Sequence, residues 1–196
     1  MAIHMTPCPE EGATVVERNL VLPDGDTNLM MMNAEERGER AGRARPRITE
    51  RYAVFSAQLE DVLPDGRGLL QADRPTSWQY VVRDRNGVIV ALSEVANGTP
   101  CQYASQQSPV VAEAVLKAIQ DAEKLDAVKQ SDYELRILRV PELYLLAVWL
   151  HAPNDDVLLP VRPFTRILGD GSSFTEKQVV AALRPLAQVR AATPDA

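Results

Sequence analysis

Apolar and polar residues alternate most clearly over residues 78–95, which read WQYVVRDRNGVIVALSEV. Two β-rich runs flank the Asn-Gly pair at 86–87, and this pair favours a two-residue hairpin turn because both central residues then need positive φ. Side chains alternate along a strand, so Trp78, Tyr80 and Val82 share one face, which we predict to be the core face. The stretch therefore predicts an antiparallel hairpin.

Two segments show the spacing and the start signals of helices. The first is predicted over 109–126, where Pro109 follows a serine cap and apolar residues recur at helical spacing. The second is predicted over 175–190, where Thr175 and Gln178 have the spacing of a capping box.

A meander of two or three strands is predicted over 133–162. Residues 133–137 alternate between apolar and polar side chains, which indicates a half-buried strand. Residues 143–150, LYLLAVWL, are apolar throughout and fit either a strand buried on both faces or a short buried helix that begins at Pro141. Pro160 and Pro163 place the last strand, residues 157–161, at a sheet edge.

Together these elements predict an α+β domain with an antiparallel sheet of about five strands, formed by the hairpin and the meander and packed by the two helices. In its order of elements the domain resembles the cystatin-like rolls, a likeness of topology that implies no function. We expect residues 97–107 to be a loop that joins hairpin to helix. Residues 13–26 are expected to form a short strand that runs into a turn.

Residues 1–48 are predicted to form an extended N-terminal arm, and residues 49–192 a single α+β domain. The second part of the arm, residues 30–47, has few apolar residues besides three adjacent methionines and mixes Glu, Arg and Gly, so it cannot bury much of its own surface. The three adjacent methionines carry flexible thioether side chains, which suit an adaptable contact with another protein. The residues predicted to bind a partner are Met30, Met31, Met32, Arg37 and Arg40.

Composition narrows the classes of function. The net charge of −6 argues against nonspecific binding to nucleic acid, whose phosphates require clustered Lys and Arg. No secretory signal is recognisable and the chain has two cysteines far apart, so we expect free thiols in the cytoplasm. The longest apolar run is too short to cross a bilayer, so no membrane association is expected.

Candidate catalytic residues are few. Cys101 is the candidate nucleophile, His151 the candidate base, and Asp155 the residue that would orient the imidazole, with Asp156 as the alternative. The two cysteines and two histidines show no spacing typical of a metal site, and no phosphate-binding loop is recognisable. We therefore predict no metal and no cofactor.

The scarcity of catalytic groups favours a non-catalytic protein-binding or assembly module, a subunit of a homo-oligomer or of a larger complex. Such a module would meet its partner through a sheet edge or through the methionine-rich arm. Two alternatives remain open at this point. One is a small cysteine-dependent hydrolase or transferase that uses Cys101 and His151, and the other is a carrier of a small apolar ligand held between sheet and helix.

Overall fold

The computed structural model describes residues 3–20, 46–162, 167–168 and 173–193. Within these residues the fold is α+β, with a mixed, mostly antiparallel sheet of eight strands and with four helices. The strands are β1 (Ile3–Met5), β2 (Arg47–Ser56), β3 (Ser77–Arg83), β4 (Ile89–Ala96), β5 (Gln102–Gln107), β6 (Tyr133–Val140), β7 (Leu145–Ala152) and β8 (Asp155–Pro160). The helices are α1 (Glu10–Asn19), α2 (Leu59–Val62), α3 (Pro109–Glu123) and α4 (Glu176–Ala192).

The predicted class is confirmed, but the predicted sheet was too small and was wrongly taken to be purely antiparallel. The hairpin and the meander supply five strands, and β1, β2 and β5 bring the number to eight. Both β1 and β2 run parallel to β6. Short turns force antiparallel pairing only between strands that are consecutive in the chain, and these two strands reach β6 across long intervening segments.

The described chain has two compact units, and the first comprises Met1–Thr6, Ala53–Thr76 and Ala114–Ala196. Strand β6 is its centre, paired antiparallel with β7 on one side. On its other side, residues 133–135 of β6 pair with β1, and residues 137–139 pair with the end of β2. Strand β8 pairs with β7 and lies at one end of the strand order. This confirms the predicted edge position of the last strand.

The ambiguity over residues 143–150 is resolved in favour of a strand. Pro141–Leu143 form a single 3-10 turn, and Tyr144 adopts the left-handed region at φ 51° before β7 begins. Within β7, hydrogen bonding to both β6 and β8 satisfies the backbone, so an almost wholly apolar strand can be buried on both faces.

The second unit comprises Pro7–Tyr52 and Ser77–Glu113, and its strands β3, β4 and β5 form an antiparallel meander. Trp78 pairs with Val95 and Val82 with Ala91, which confirms the predicted shared face. The turn itself differs from the prediction.

The β3–β4 turn is longer than two residues. The Gly87 amide donates to the Asp84 carbonyl oxygen at 3.1 Å, and Gly87, at φ +83°, is the described turn residue with positive φ. The Asp84 carboxylate accepts hydrogen bonds from the Asn86 and Val88 amides, and the ladder shifts register after Val82. This is a type I turn followed by a left-handed glycine, a three-residue connection that needs positive φ at one position only.

Two segments of the second unit were predicted wrongly. Residues 102–107 form β5, where a loop was expected, and residues 13–19, expected to belong to a short strand, lie in α1. Helix α1 lies against the β3–β5 meander through buried Gly12 and Val16, and a Cβ on Gly12 would lie 1.9 Å from the Tyr80 hydroxyl oxygen. Contact with the sheet, more than local propensity, stabilises this short helix.

Both long helices begin as predicted. Pro109 is the first residue of α3, and at α4 the Thr175 hydroxyl and the Gln178 side chain form the expected capping box. Helix α4 continues through Pro185 to Ala192. No helix in the described ranges is long and apolar enough to cross a membrane.

Candidate functional site

Strand β5 forms a sheet edge with few features that block pairing with another strand. We call it the β5 edge (Gln102–Gln107). Among the described residues it pairs with β4 alone and ends the strand order. Its sequence, QYASQQ, contains no charged residue and no proline, and Gln102 and Ala104 are exposed. Edge strands usually carry lysine, proline or a covering segment that blocks pairing with another chain. Within the described part of the chain, the β5 edge carries one such device, a bulge at Ala104.

Strand β8 is the corresponding edge of the first unit, and it is covered. Its outer side pairs with Phe174, because the Leu158 and Phe174 amides each donate to the other's carbonyl oxygen at 2.9 and 2.8 Å. The strand begins with two carboxylates, those of Asp155 and Asp156, and ends at Pro160. These features leave β8 a poor template for an additional strand.

The candidate base His151 lies in β7 within a polar and aromatic cluster of the first unit. Its Nδ1 is 2.8 Å from Asp156 Oδ1, and the same oxygen accepts a hydrogen bond from the buried indole of Trp149 at 2.7 Å. The two rings meet edge to face, with centroids 5.3 Å apart. Asp156, directly opposite His151 in the ladder, is therefore the carboxylate that orients the imidazole.

Asp155 has a different partner. Its carboxylate accepts a hydrogen bond from the buried Tyr133 hydroxyl. Burial, together with the hydrogen bond to Asp155, raises the pKa of Tyr133 to about 12. Asp155 thus holds β8 to β6 and leaves the imidazole to Asp156.

Arg136 extends the same cluster across the sheet. Its guanidinium lies 4.5 Å from the ring centroid of Phe55 and 4.6 Å from that of Trp149, and its Nε donates to Glu134 at 2.9 Å. Burial disfavours ionisation of Glu134, but hydrogen bonds from Arg136 and Thr6 outweigh it and lower the pKa of the carboxyl. The groups neutralise one another, which is the expected state of a structural network.

The candidate nucleophile Cys101 lies in the second unit and is buried. Its Sγ donates to the Gly98 carbonyl oxygen at 3.5 Å. The other thiol, Cys8, adjoins Tyr80, and burial raises its pKa to about 11 despite the charge of Arg51. Both cysteines are free. Reactive thiols are typically accessible with a lowered pKa, whereas Cys101 is buried and the pKa of Cys8 is raised.

The remaining predicted site residues lie outside the described ranges. These are Met30, Met31, Met32, Arg37 and Arg40 of the predicted arm. Within the described ranges no group of three or more His, Cys, Asp or Glu side chains is placed to hold a metal ion.

Sequence reasoning missed the β5 edge and most of the cluster around Trp149. Residues 101–107 contain no glycine or proline, and Tyr103 favours a strand, so a strand signal was present but weak. Arg136, Glu134 and Trp149 have ordinary strand spacing, and their association depends on cross-strand register.

Comparison with known proteins yields no relative. Neither the protein-family models, nor the curated proteins, nor the solved structures contain a match to this chain.

Proposed function

We propose that this chain is a non-catalytic assembly module that forms a homodimer by antiparallel pairing of its β5 edge with the β5 edge of a second copy. The observation that carries the proposal is the contrast between an uncharged, proline-free edge and the covered edge at β8. Addition of a strand to a free edge is a common mode of protein recognition, in which main-chain hydrogen bonds supply the affinity.

A second copy is the occupant that the charges favour. The chain carries a net charge of −6, so copies repel one another over most of their surfaces. The β5 edge has no charged residue, so two such edges meet without local repulsion. An antiparallel pair of identical strands is self-complementary, as twofold symmetry requires. The three glutamines can hydrogen-bond across such a pair, because an amide both donates and accepts.

The predicted partner-binding residues of the arm belong to the same proposal. Met30, Met31 and Met32, with Arg37 and Arg40 nearby, would add an adaptable contact beside the paired strands. We place the assembly in the cytoplasm, a proposal supported by the two free thiols.

The alternatives have less support. A cysteine-dependent enzyme needs an accessible thiolate, and Cys101 is 8% exposed with its Sγ engaged by a backbone carbonyl. A carrier of an apolar ligand needs an apolar cavity, whereas two pockets of the first unit have mainly polar and charged walls.

The proposal is tested by measuring the mass of the full chain in solution by light scattering over a wide range of concentrations. We expect a monomer that converts to a dimer as concentration rises. The double variant Gln102→Lys/Ala104→Lys, at two exposed positions, should remain monomeric because it brings like charges together. The variant Gln120→Lys/Gln188→Lys adds the same charge at exposed helical positions and should dimerise like the parent.

Two results would contradict the proposal. A monomer at every concentration excludes the homodimer, and a dimer that survives the two β5 lysines excludes β5 as the interface. The arm is examined in the full chain by replacing the three methionines with serine. Deletion of residues 1–48 is unsuitable, because it removes β1, which pairs with β6, and α1, which packs on the meander.

A further inference from the structure

A pocket of about 240 Å³ lies within the first unit, between α4 and the loop of residues 63–68. Leu63, Pro64 and Val180 supply apolar wall, and Arg67, Lys177 and Arg184 supply positive charge. Neither the proposed dimerisation nor the cluster around Trp149 uses this pocket.

The loop that forms one wall has a backbone that only glycine can follow at two positions. A Cβ on Gly66 would lie 2.2 Å from the Glu60 carbonyl oxygen. Gly68 has φ +97°, and a Cβ there would lie 2.7 Å from Glu176 Oε1. The same Glu176 oxygen accepts a hydrogen bond from the Leu70 amide at 3.1 Å. The wall is therefore tied to α4 and shaped before any ligand arrives.

The charged side chains that line the pocket sum to one net positive charge. Three cations, Arg67, Lys177 and Arg184, face two carboxylates, Asp61 and Glu176. Asp61 is paired with Arg67, with 3.3 Å between Oδ1 and Nε. Glu176 is engaged by the loop backbone and balances one of the two remaining cations. The pocket thus matches a ligand that carries a single negative charge.

Arg184 points to the position of that charge. The residue is half-buried, and its Nε is fully buried without a hydrogen-bond acceptor among the described residues. The Nε itself is out of reach of a ligand, so a carboxylate in the pocket would meet the outer nitrogens of the guanidinium, which hydrogen-bond to none of the described residues. A guanidinium matches a carboxylate in charge and geometry, and Lys177, at the same pocket, is exposed and able to add a second contact.

We infer that this pocket binds a small monocarboxylate with a short aliphatic chain. The carboxylate contacts Arg184 and Lys177, and the aliphatic chain lies against Leu63, Pro64 and Val180. Inorganic phosphate fits less well, because at neutral pH it carries more negative charge than the pocket balances and has no apolar part to bury.

The test is a titration of the full chain with butyrate, followed by amide chemical shifts. Saturable shifts are expected at residues 63–68 and 176–184, whereas neutral butyramide should produce none. Arg184→Gln and Lys177→Gln should each weaken butyrate binding at least tenfold. Arg190→Gln alters the same helix outside the pocket, where Arg190 lies over the Tyr144 ring, and should leave butyrate binding unchanged.

Three results would overturn the inference: equal binding of butyramide, unchanged affinity in both pocket variants, or tighter binding of phosphate than of butyrate. A thermal melt of each variant shows whether it is folded. If Arg184→Gln does not fold, Lys177→Gln decides the question alone, because that side chain is exposed and its loss leaves the core intact.

Discussion

The β5 and β8 edges differ in how their strands are held. Strand β8 is fastened by side chains and by the backbone of Phe174, and Leu158 and Leu159 are buried. Strand β5 is held by its ladder with β4 and by contact with α1, and among the described residues no second strand pairs with it. A strand fixed by side-chain burial contributes stability, whereas a strand fixed mainly by its ladder can offer its outer edge to a partner.

The largest expected effect is at the core of β8. Leu158→Ala removes a fully buried side chain and should lower the free energy of unfolding by about 3 kcal/mol. Tyr103→Ala in β5 removes a half-buried side chain and should cost clearly less. Urea denaturation of the two variants measures both values, and equal losses would mean that β5 is held as firmly as β8.

A smaller loss is expected when β8 is uncoupled from the aromatic cluster. Asp156→Ala leaves the buried Trp149 indole N–H without an acceptor and should cost about 2 kcal/mol. The matched control is Asp126→Ala, which breaks an exposed pair with Lys129 and should leave stability nearly unchanged. Similar effects of the two variants, read from denaturant midpoints, would refute a role for Asp156 in holding β8.

Alkaline pH should weaken the attachment of β8 to β6 by less than Asp156→Ala lowers stability. The pKa of Tyr133 is raised from about 10 to about 12 in the folded chain, so its contribution is complete below pH 10 and is lost as pH rises from there towards 12. By pH 10.5 the loss from this residue should stay below about 1 kcal/mol.

Residues of both units contribute to the loss of stability at alkaline pH. Burial raises the pKa of Cys8 and of Tyr80 in the second unit as well, so they add to the alkaline loss. We expect Tyr133→Phe to flatten only part of the pH dependence of stability, and Cys8→Ser to flatten another part. A Tyr133→Phe profile that parallels the parent between pH 8 and 10.5 would show that the hydroxyl of Tyr133 does not couple β8 to β6.

The smallest effect on stability is expected at the β5 edge. Gln102→Lys/Ala104→Lys changes exposed side chains and should alter the unfolding free energy of the monomer by less than about 0.5 kcal/mol while it abolishes dimerisation. Measuring both quantities at a concentration where the parent is monomeric separates the interface from the fold. A large loss of monomer stability would show that β5 is a structural strand.

Local signals predicted part of this architecture. The capping box at Thr175 and Gln178 set the start of α4, and alternation in residues 133–137 indicated β6. These signals depend on neighbours a few residues apart, so a single sequence contains them. The pairing of β1 with β6 joins segments about 130 residues apart, and nothing in the local pattern encodes such a register.

The candidate sites show the same division. In the sequence, Asp155 and Asp156 are both close enough to His151 to orient its imidazole. The register of β7 with β8 places Asp156 beside the imidazole and Asp155 beside the Tyr133 hydroxyl. The pocket beside Arg184 arises where a glycine-dependent loop meets a distant helix, so its residues share no sequence motif.

The sequence by itself determined the α+β class, the two long helices and the β3–β4 hairpin, because periodicity, caps and turn residues act over short distances. Long-range packing was needed to make residues 102–107 a strand and residues 10–19 a helix, and to pair Phe174 with the outer side of β8. The physical reason is that these segments bury few apolar groups of their own and take their conformation from the surface they pack against.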